Sequence, residues 1–205
     1  MQEHRDTTAT DLGDDPPVSA ADALAIIEQE QARQEPDISG YFLLWGALWI
    51  LIGLTWFGSG TQVWAADTAG ITTGVLVVGG CLTSAWLGTR MNRGVSGPSS
   101  RFGAMYGVAW GVAIVGTGAL VAALVGHAGQ AAAPLIPALF VFVVGVLYTV
   151  TGAFYRDGLD FGLGLVVQLV AVVTAFTPAP WSSLVMGVGG GGALLAVGIV
   201  RRVRR

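Results

Sequence analysis

Gly103-Ala-Met-Tyr-Gly-Val-Ala-Trp-Gly-Val-Ala-Ile-Val-Gly-Thr-Gly-Ala-Leu-Val-Ala-Ala-Leu-Val-Gly126 runs for 24 residues without a charged group. A bilayer core takes about 20 residues of apolar helix to cross, so this stretch reads as a membrane span. On its N-terminal side stands Arg101 and on its C-terminal side His127. Five further apolar segments lie on either side of it, at about 41–58, 69–88, 134–154, 159–176 and 181–200. Pro134 and Pro137 fall in the first turn of the fourth, where a missing N–H costs a helix nothing. Thr177-Pro178-Ala179-Pro180 ends the fifth, which is the shortest, and Arg201-Arg202-Val203-Arg204-Arg205 closes the sixth. Hydrophobic residues make up 53% of the chain and charged residues 11%, against about 25% charged in soluble domains. The expected fold is all-α, an integral membrane six-helix bundle spanning 41–205.

The formal charge of -3 hides a division. Residues 1–40 carry ten acids against Arg5 and Arg33, a net of -8, and the rest carries Asp67, Asp157 and Asp160 against eight Arg, a net of +5. The tail is polar up to Pro16-Pro17 and is expected to be disordered there. Ser19 can then cap a short helix running to about Glu35, with Asp22 as its capping-box acid. Leu24, Ile26 and Ile27 make a narrow apolar stripe on that helix. No apolar core of a cleavable signal peptide occurs in the first 40 residues. Basic residues mark the cytoplasmic loops of membrane proteins. Arg90, Arg93 and Arg101 lie between spans two and three, Arg156 between four and five, and Arg201, Arg202, Arg204 and Arg205 after six, whereas the alternate loops contain no basic residue. Both termini are therefore expected in the cytoplasm.

A spacing recurs in the even spans. Gly79, Gly145 and Gly190 each precede an arginine (Arg90, Arg156, Arg201) by eleven residues. Spans one and three also match, Tyr41, Trp45, Gly46 and Trp49 against Phe102, Tyr106, Gly107 and Trp110. Three tandem helical hairpins would explain both patterns. A chain with 31 glycines and interfacial aromatics would also produce them by coincidence, and both readings stay open here. Gly103, Gly107 and Gly111 recur every four residues, and Gly118 extends nearly the same face. Small-xxx-small faces let helices approach closely in lipid. Packing within the chain is the expected use, and a homo-oligomer seam is the other.

Few residues could carry chemistry. Gln168 is the one long polar side chain in the middle of a span, and its amide needs partners there, either as interhelical glue or as a substrate contact. Gly189, Gly190, Gly191 and Gly192 sit halfway through span six and lower its helix propensity by about 1 kcal/mol each. A break there would open a path or cavity, whereas an intact helix would mean very close packing. Cys81 reads as a small apolar filler, and a lone thiol without a basic neighbour is not activated. His4 and His127 have no ligand-spaced partners. Asp157 and Asp160, beside Arg156, read as a solvated turn. Span interiors contain no Asp, Glu, Arg or His, the residues that mark ion and proton pathways. No enzyme, cofactor, metal centre or nucleic-acid partner is expected.

The Ala-Asp-Ala-Leu-Ala-Ile-Ile-Glu-Gln-Glu-Gln-Ala-Arg helix at 21–33 leads into Tyr-Phe-Leu-Leu-Trp-Gly-Ala-Leu-Trp at 41–49. With the late Gly189–Gly192 run before a terminal Arg cluster, this resembles small uncharacterised multi-span membrane proteins of actinobacteria. The resemblance implies a bacterial inner-membrane address and supplies no activity or functional residue. Two function classes fit the sequence. One is a membrane-embedded scaffold or regulatory subunit that meets a cytoplasmic protein through residues 19–35. The other is a small transporter or channel for an uncharged solute, with Gln168 and Gly189–Gly192 lining its path.

Overall fold

A computed structural model describes residues 19, 21–26, 37–91, 98–132 and 135–204. The expected disordered segment 1–18, the tail helix beyond residue 26, and Arg5, Arg33, Arg93, Pro134 and Arg205 lie outside these. The chain divides into two units, Met1–Pro36 and Asp37–Arg205. In the first, residues 21–26 are helical, and the Ser19 hydroxyl oxygen caps them by accepting from the Asp22 N–H at 3.1 Å. The Asp22 carboxylate in turn accepts from the Ser19 hydroxyl at 2.7 Å.

Among its described residues the second unit consists of helices joined by short turns, with no strand. Its long helices are α1 (Ser39–Gly60), α2 (Ala66–Met91), α3 (Pro98–Ala128), α4 (Leu135–Tyr155), α5 (Gly158–Phe176) and α6 (Trp181–Val203). Each is long and apolar enough to cross a bilayer. The chain is a multi-pass membrane protein. The expected spans fall inside these helices to within a residue, and the helices extend beyond them by up to five residues, because the polar flanks continue the same backbone.

Two of the turns use a device that composition hides. After α4, Arg156 takes a left-handed conformation with φ 55°, its N–H bonds the Ala153 carbonyl, and the Asp157 N–H bonds the Gly152 carbonyl at 2.8 Å. After α1, Gln62 does the same at φ 63°, with the Val63 N–H on the Gly58 carbonyl at 2.8 Å. This paired closure of a helix end normally places glycine at the left-handed position. Here Arg and Gln stand there, at a modest conformational cost.

α1, α4, α5 and α6 form the packed body, with Phe42, Val141, Leu163, Val167, Ala171, Met186 and Leu194 as its core. Two helix pairs touch backbone to backbone. A Cβ added at Gly145 of α4 would lie 2.8 Å from the Gln168 nitrogen of α5. One added at Gly191 of α6 would lie 2.6 Å from the Gly46 carbonyl of α1. On α1 and on α4 the approach rests on glycines seven apart, Gly46 with Gly53 and Gly145 with Gly152, so each pair recurs after nearly two turns on one face. α2 and α3 are different. They bury 6% and 11% of their most apolar 18-residue windows, against 28–33% for the other four.

The tandem-hairpin pattern is realised in part. Trp45 donates from Nε1 to Ser84 Oγ at 3.0 Å, tying α1 to α2, and its counterpart Tyr106 shares a hydrogen bond with Thr151 Oγ1 at 2.9 Å, tying α3 to α4. The three spaced glycines do not correspond. Gly79 faces open space, Gly145 lies on α5 and Gly190 lies under the Trp49 ring. The closest contacts, α4 with α5 and α1 with α6, cross hairpin boundaries. These hydrogen bonds, with those of Arg201 described below, bring Arg90, Arg101, Arg156, Arg201, Arg202 and Arg204 to one end of the bundle. Exposed Trp56, Trp64 and Trp181 lie at the other, where membrane-interface aromatics are enriched.

Candidate functional site

Opposite charges converge at the arginine end. The turn that reverses the chain after α4 sets Asp157 at the N-cap of α5, where Oδ1 accepts from the backbone N–H of Leu159 at 2.8 Å and of Asp160 at 3.3 Å. This satisfies donors that a helix start leaves unpaired. The other Asp157 oxygen, Oδ2, accepts from Arg201 Nη2, and the same nitrogen donates to Asp160 Oδ1 at 2.8 Å. Asp160 is 6% exposed. The guanidinium carbon lies 5.3 Å from the centroid of the Phe42 ring of α1. One side chain at the end of α6 therefore clasps the start of α5 and rests on the start of α1. The solvated turn expected at Asp157 and Asp160 is corrected: one carboxylate is buried and both are ion-paired. Arg201 acts in packing as well as in the terminal basic cluster, while Arg202 and Arg204 point outward.

Around the clasp the helices present aromatic rings. Tyr148 of α4 lies 5.6 Å from Phe42 and 5.2 Å from Trp110, and Tyr106 lies 6.1 Å from Trp110. Span three thus meets α4 through Trp110, one of the aromatics that matched in sequence, whereas span one meets it through Phe42, which lies beside the matched Tyr41.

Partial burial pushes the Asp157 carboxyl pKa up, but the hydrogen bond from Arg201 and those from the Asp160 and Leu159 amides outweigh it, and the pKa ends below the usual carboxylate value. A depressed folded-state pKa contributes stability above the unfolded value, about 3.9, and loses it as pH falls through the folded one. The melting-temperature advantage of the detergent-solubilised protein over Asp157→Asn should therefore be full at pH 7 and shrink below about pH 4. An advantage that stays constant down to pH 3 would show that Asp157 ionisation adds nothing.

Gln168 is accounted for between α4 and α5. Its Nε2 donates to Thr149 Oγ1 at 2.7 Å and to the Gly164 carbonyl at 3.3 Å, and Thr149 Oγ1 donates to the Gly145 carbonyl at 2.9 Å. Interhelical bonds of this kind contribute about 0.6–2 kcal/mol in lipid.

The glycine run of α6 neither breaks the helix nor leaves it regular. Val185–Gly190 form a π-helical segment and the α-helix resumes at Gly191. Widened turns of this type are frequent where a helix must adjust to a neighbour or a function. Here the neighbour is α1. A Cβ at Gly187 would stand 2.9 Å from the Gly53 Cα, one at Gly190 would stand 2.7 Å from the Trp49 ring, and one at Gly189 would meet Val170 of α5 at 3.2 Å. Gly192 has nothing within 4 Å. The four glycines thus face in different directions and do not share one wall.

The α3 glycines fall on the exposed side. Nothing lies within 4 Å of a Cβ added at Gly103, Gly107 or Gly111, and Gly118 reaches only Phe140 at 3.8 Å. Packing within the chain, the expected use of this face, does not occur at the first three. Cys81 is exposed on α2 rather than serving as a filler. His127 is exposed at the end of α3.

Compared with known proteins, the chain matches no family model, no curated protein and no solved structure. Its site chemistry rests on its own geometry. Sequence reading missed the clasp because Asp157 and Arg201 are 44 residues apart. The available signal was a pair of acids three apart at the start of a span, on the same side as the terminal arginines.

Proposed function

We propose that this protein is a scaffold or regulatory subunit of a bacterial inner membrane, with both termini cytoplasmic and with residues 19–35 as its contact for a cytoplasmic protein. The observation that carries this reading is the isolation of its polar groups. Along α5 the inward polar residues are Asp160, Gln168 and Thr174, separated by about 12 Å and about 9 Å at 1.5 Å per residue. Buried Leu163, Val167 and Ala171 fill the intervals. A solute path needs polar groups that succeed one another; here Asp160 and Gln168 are each held by a neighbouring helix, and Thr174 is fully buried, its hydroxyl without a hydrogen-bond partner among the described residues. The gathering of arginines at one end supports the orientation. In the tail, Leu24 and Ile26 are exposed beside acidic residues, as a docking helix requires.

The test is a deletion of residues 1–36 set beside Gln168→Leu. A scaffold loses its co-purifying cytoplasmic partner with the deletion and keeps it with Gln168→Leu, while proteoliposomes of the full chain take up glycerol and urea no faster than empty vesicles. Uptake above empty vesicles that Gln168→Leu removes would establish the transporter instead.

A further inference from the structure

The outward face of α2 carries a built feature. Ile71, Gly74, Val75, Val78, Gly79 and Leu82 line a shallow apolar groove along it. Its two glycines are open notches, since a Cβ added at either would meet nothing within 4 Å. Seven residues make almost two helical turns, so Val75 aligns with Leu82 and Gly79 with Trp86. The groove therefore leads straight to the Trp86 ring, which is 51% exposed. One turn further, the Arg90 guanidinium carbon lies 4.2 Å over the centroid of that ring. Among the described residues no carboxylate pairs with Arg90. Behind this face the helix is fixed, because Tyr41 donates to the Ser84 carbonyl at 3.1 Å and Trp45 to Ser84 Oγ at 3.0 Å.

We propose that this face binds one anionic phospholipid, with its phosphate on Arg90 and an acyl chain lying past Trp86 in the notch at Gly79. Arginine forms charge-assisted hydrogen bonds with phosphate oxygens, and the ring beneath it holds the guanidinium at headgroup level, where tryptophan resides in membranes. The dimensions agree. One leaflet contributes about 15 Å of a hydrocarbon core of about 30 Å, equivalent to about ten residues of helix, which carries a chain from Trp86 to Val75 and Val78. A helix of a second copy on this face would have to cover a guanidinium that has no carboxylate partner among the described residues, at high cost; an anionic lipid brings the countercharge. Arg202 and Arg204 are exposed at the same end and stack on no ring among the described residues, which makes them controls.

The delipidated full chain in mild detergent is titrated with phosphatidylglycerol and with phosphatidylcholine of identical acyl chains, and bound lipid is counted by native mass spectrometry. Phosphatidylglycerol should bind preferentially. Arg90→Gln should weaken it about five-fold, the effect of one basic residue near a membrane surface, whereas Arg90→Lys retains most of the preference and Arg202→Gln retains all of it. Gly79→Leu, which fills the notch without changing charge and has space to fold, should weaken both the binding and the preference. Glycerol phosphate should not displace the lipid. Equal binding of the two lipids, or an unchanged affinity in Arg90→Gln, overturns the site. So does displacement by glycerol phosphate or full binding by Gly79→Leu, either of which would mean a headgroup contact without an acyl groove. Efficient disulfide cross-linking between copies through Val75→Cys in a Cys81→Ser background would assign the face to a second copy and overturn the lipid.

Discussion

Arg201→Met should lower the melting temperature of the detergent-solubilised protein by about 5–10 °C, on the scale of about 2–4 °C per kcal/mol for a chain of this size. The side chain is 18% exposed and bridges Asp157 with the nearly buried Asp160. Removing it leaves two carboxylates side by side, one of them with little access to water. Breaking a fully buried pair costs about 3–5 kcal/mol; Asp157 remains partly solvated, so about 2–3 kcal/mol is the appropriate range after screening. Most of the loss should be recovered by adding Asp160→Leu, because replacing both charges with apolar groups removes the uncompensated ion. Arg202→Met, one residue along and exposed, should melt with the wild type. Tryptophan fluorescence followed through thermal unfolding reads all three variants. A parental melting temperature in Arg201→Met would show that the clasp is a solvated surface contact.

The six helices were legible because lipid imposes one requirement, an uninterrupted apolar run, and leaves it in plain view. Their ends were less so. Arg156 and Gln62 close helices in a conformation that glycine usually supplies, and no composition rule singles them out. The packing faces were half legible. Glycine abundance announced close approach, but four-residue spacing pointed to Gly103, Gly107 and Gly111, which face outward, while the seven-residue pairs Gly46 with Gly53 and Gly145 with Gly152 make the contacts. Periodicity states which residues share a face and is silent on which face meets a neighbour. A mid-span amide has no water, so Gln168 requires a partner on the sequence alone; that the partner is Thr149 depends on the register of α4 against α5. The clasp joins residues from two distant helix ends, and charge counting alone assigns Arg201 to the membrane surface.

Gly191→Leu and Gly192→Leu, adjacent substitutions in one run, should have opposite outcomes. At Gly191 the new Cβ would lie 2.6 Å from the Gly46 carbonyl and 3.1 Å from the Ile50 nitrogen of α1. Both are backbone atoms that cannot rotate away, so α1 and α6 must separate along their length. Gly53→Leu meets the same obstacle one crossing further, 2.6 Å from the Ser183 carbonyl and 2.7 Å from the Gly187 Cα. Overpacking against side chains costs about 1–3 kcal/mol; against backbone on both sides the cost should reach or exceed about 3 kcal/mol, seen as loss of monodisperse protein after solubilisation. Gly192 has nothing within 4 Å, and leucine improves helix propensity over glycine by up to about 1 kcal/mol, so Gly192→Leu should purify normally and melt at or above the wild-type temperature. The contrast separates two uses of a glycine run. A run that opened a path or unwound the helix would act as a unit, and leucine at either position would damage it equally. A run that lets α1 lie against α6 has one indispensable side, and Gly191 is on it while Gly192 is not. Equal damage from the two substitutions would sink the packing account and return the run to a role in transport.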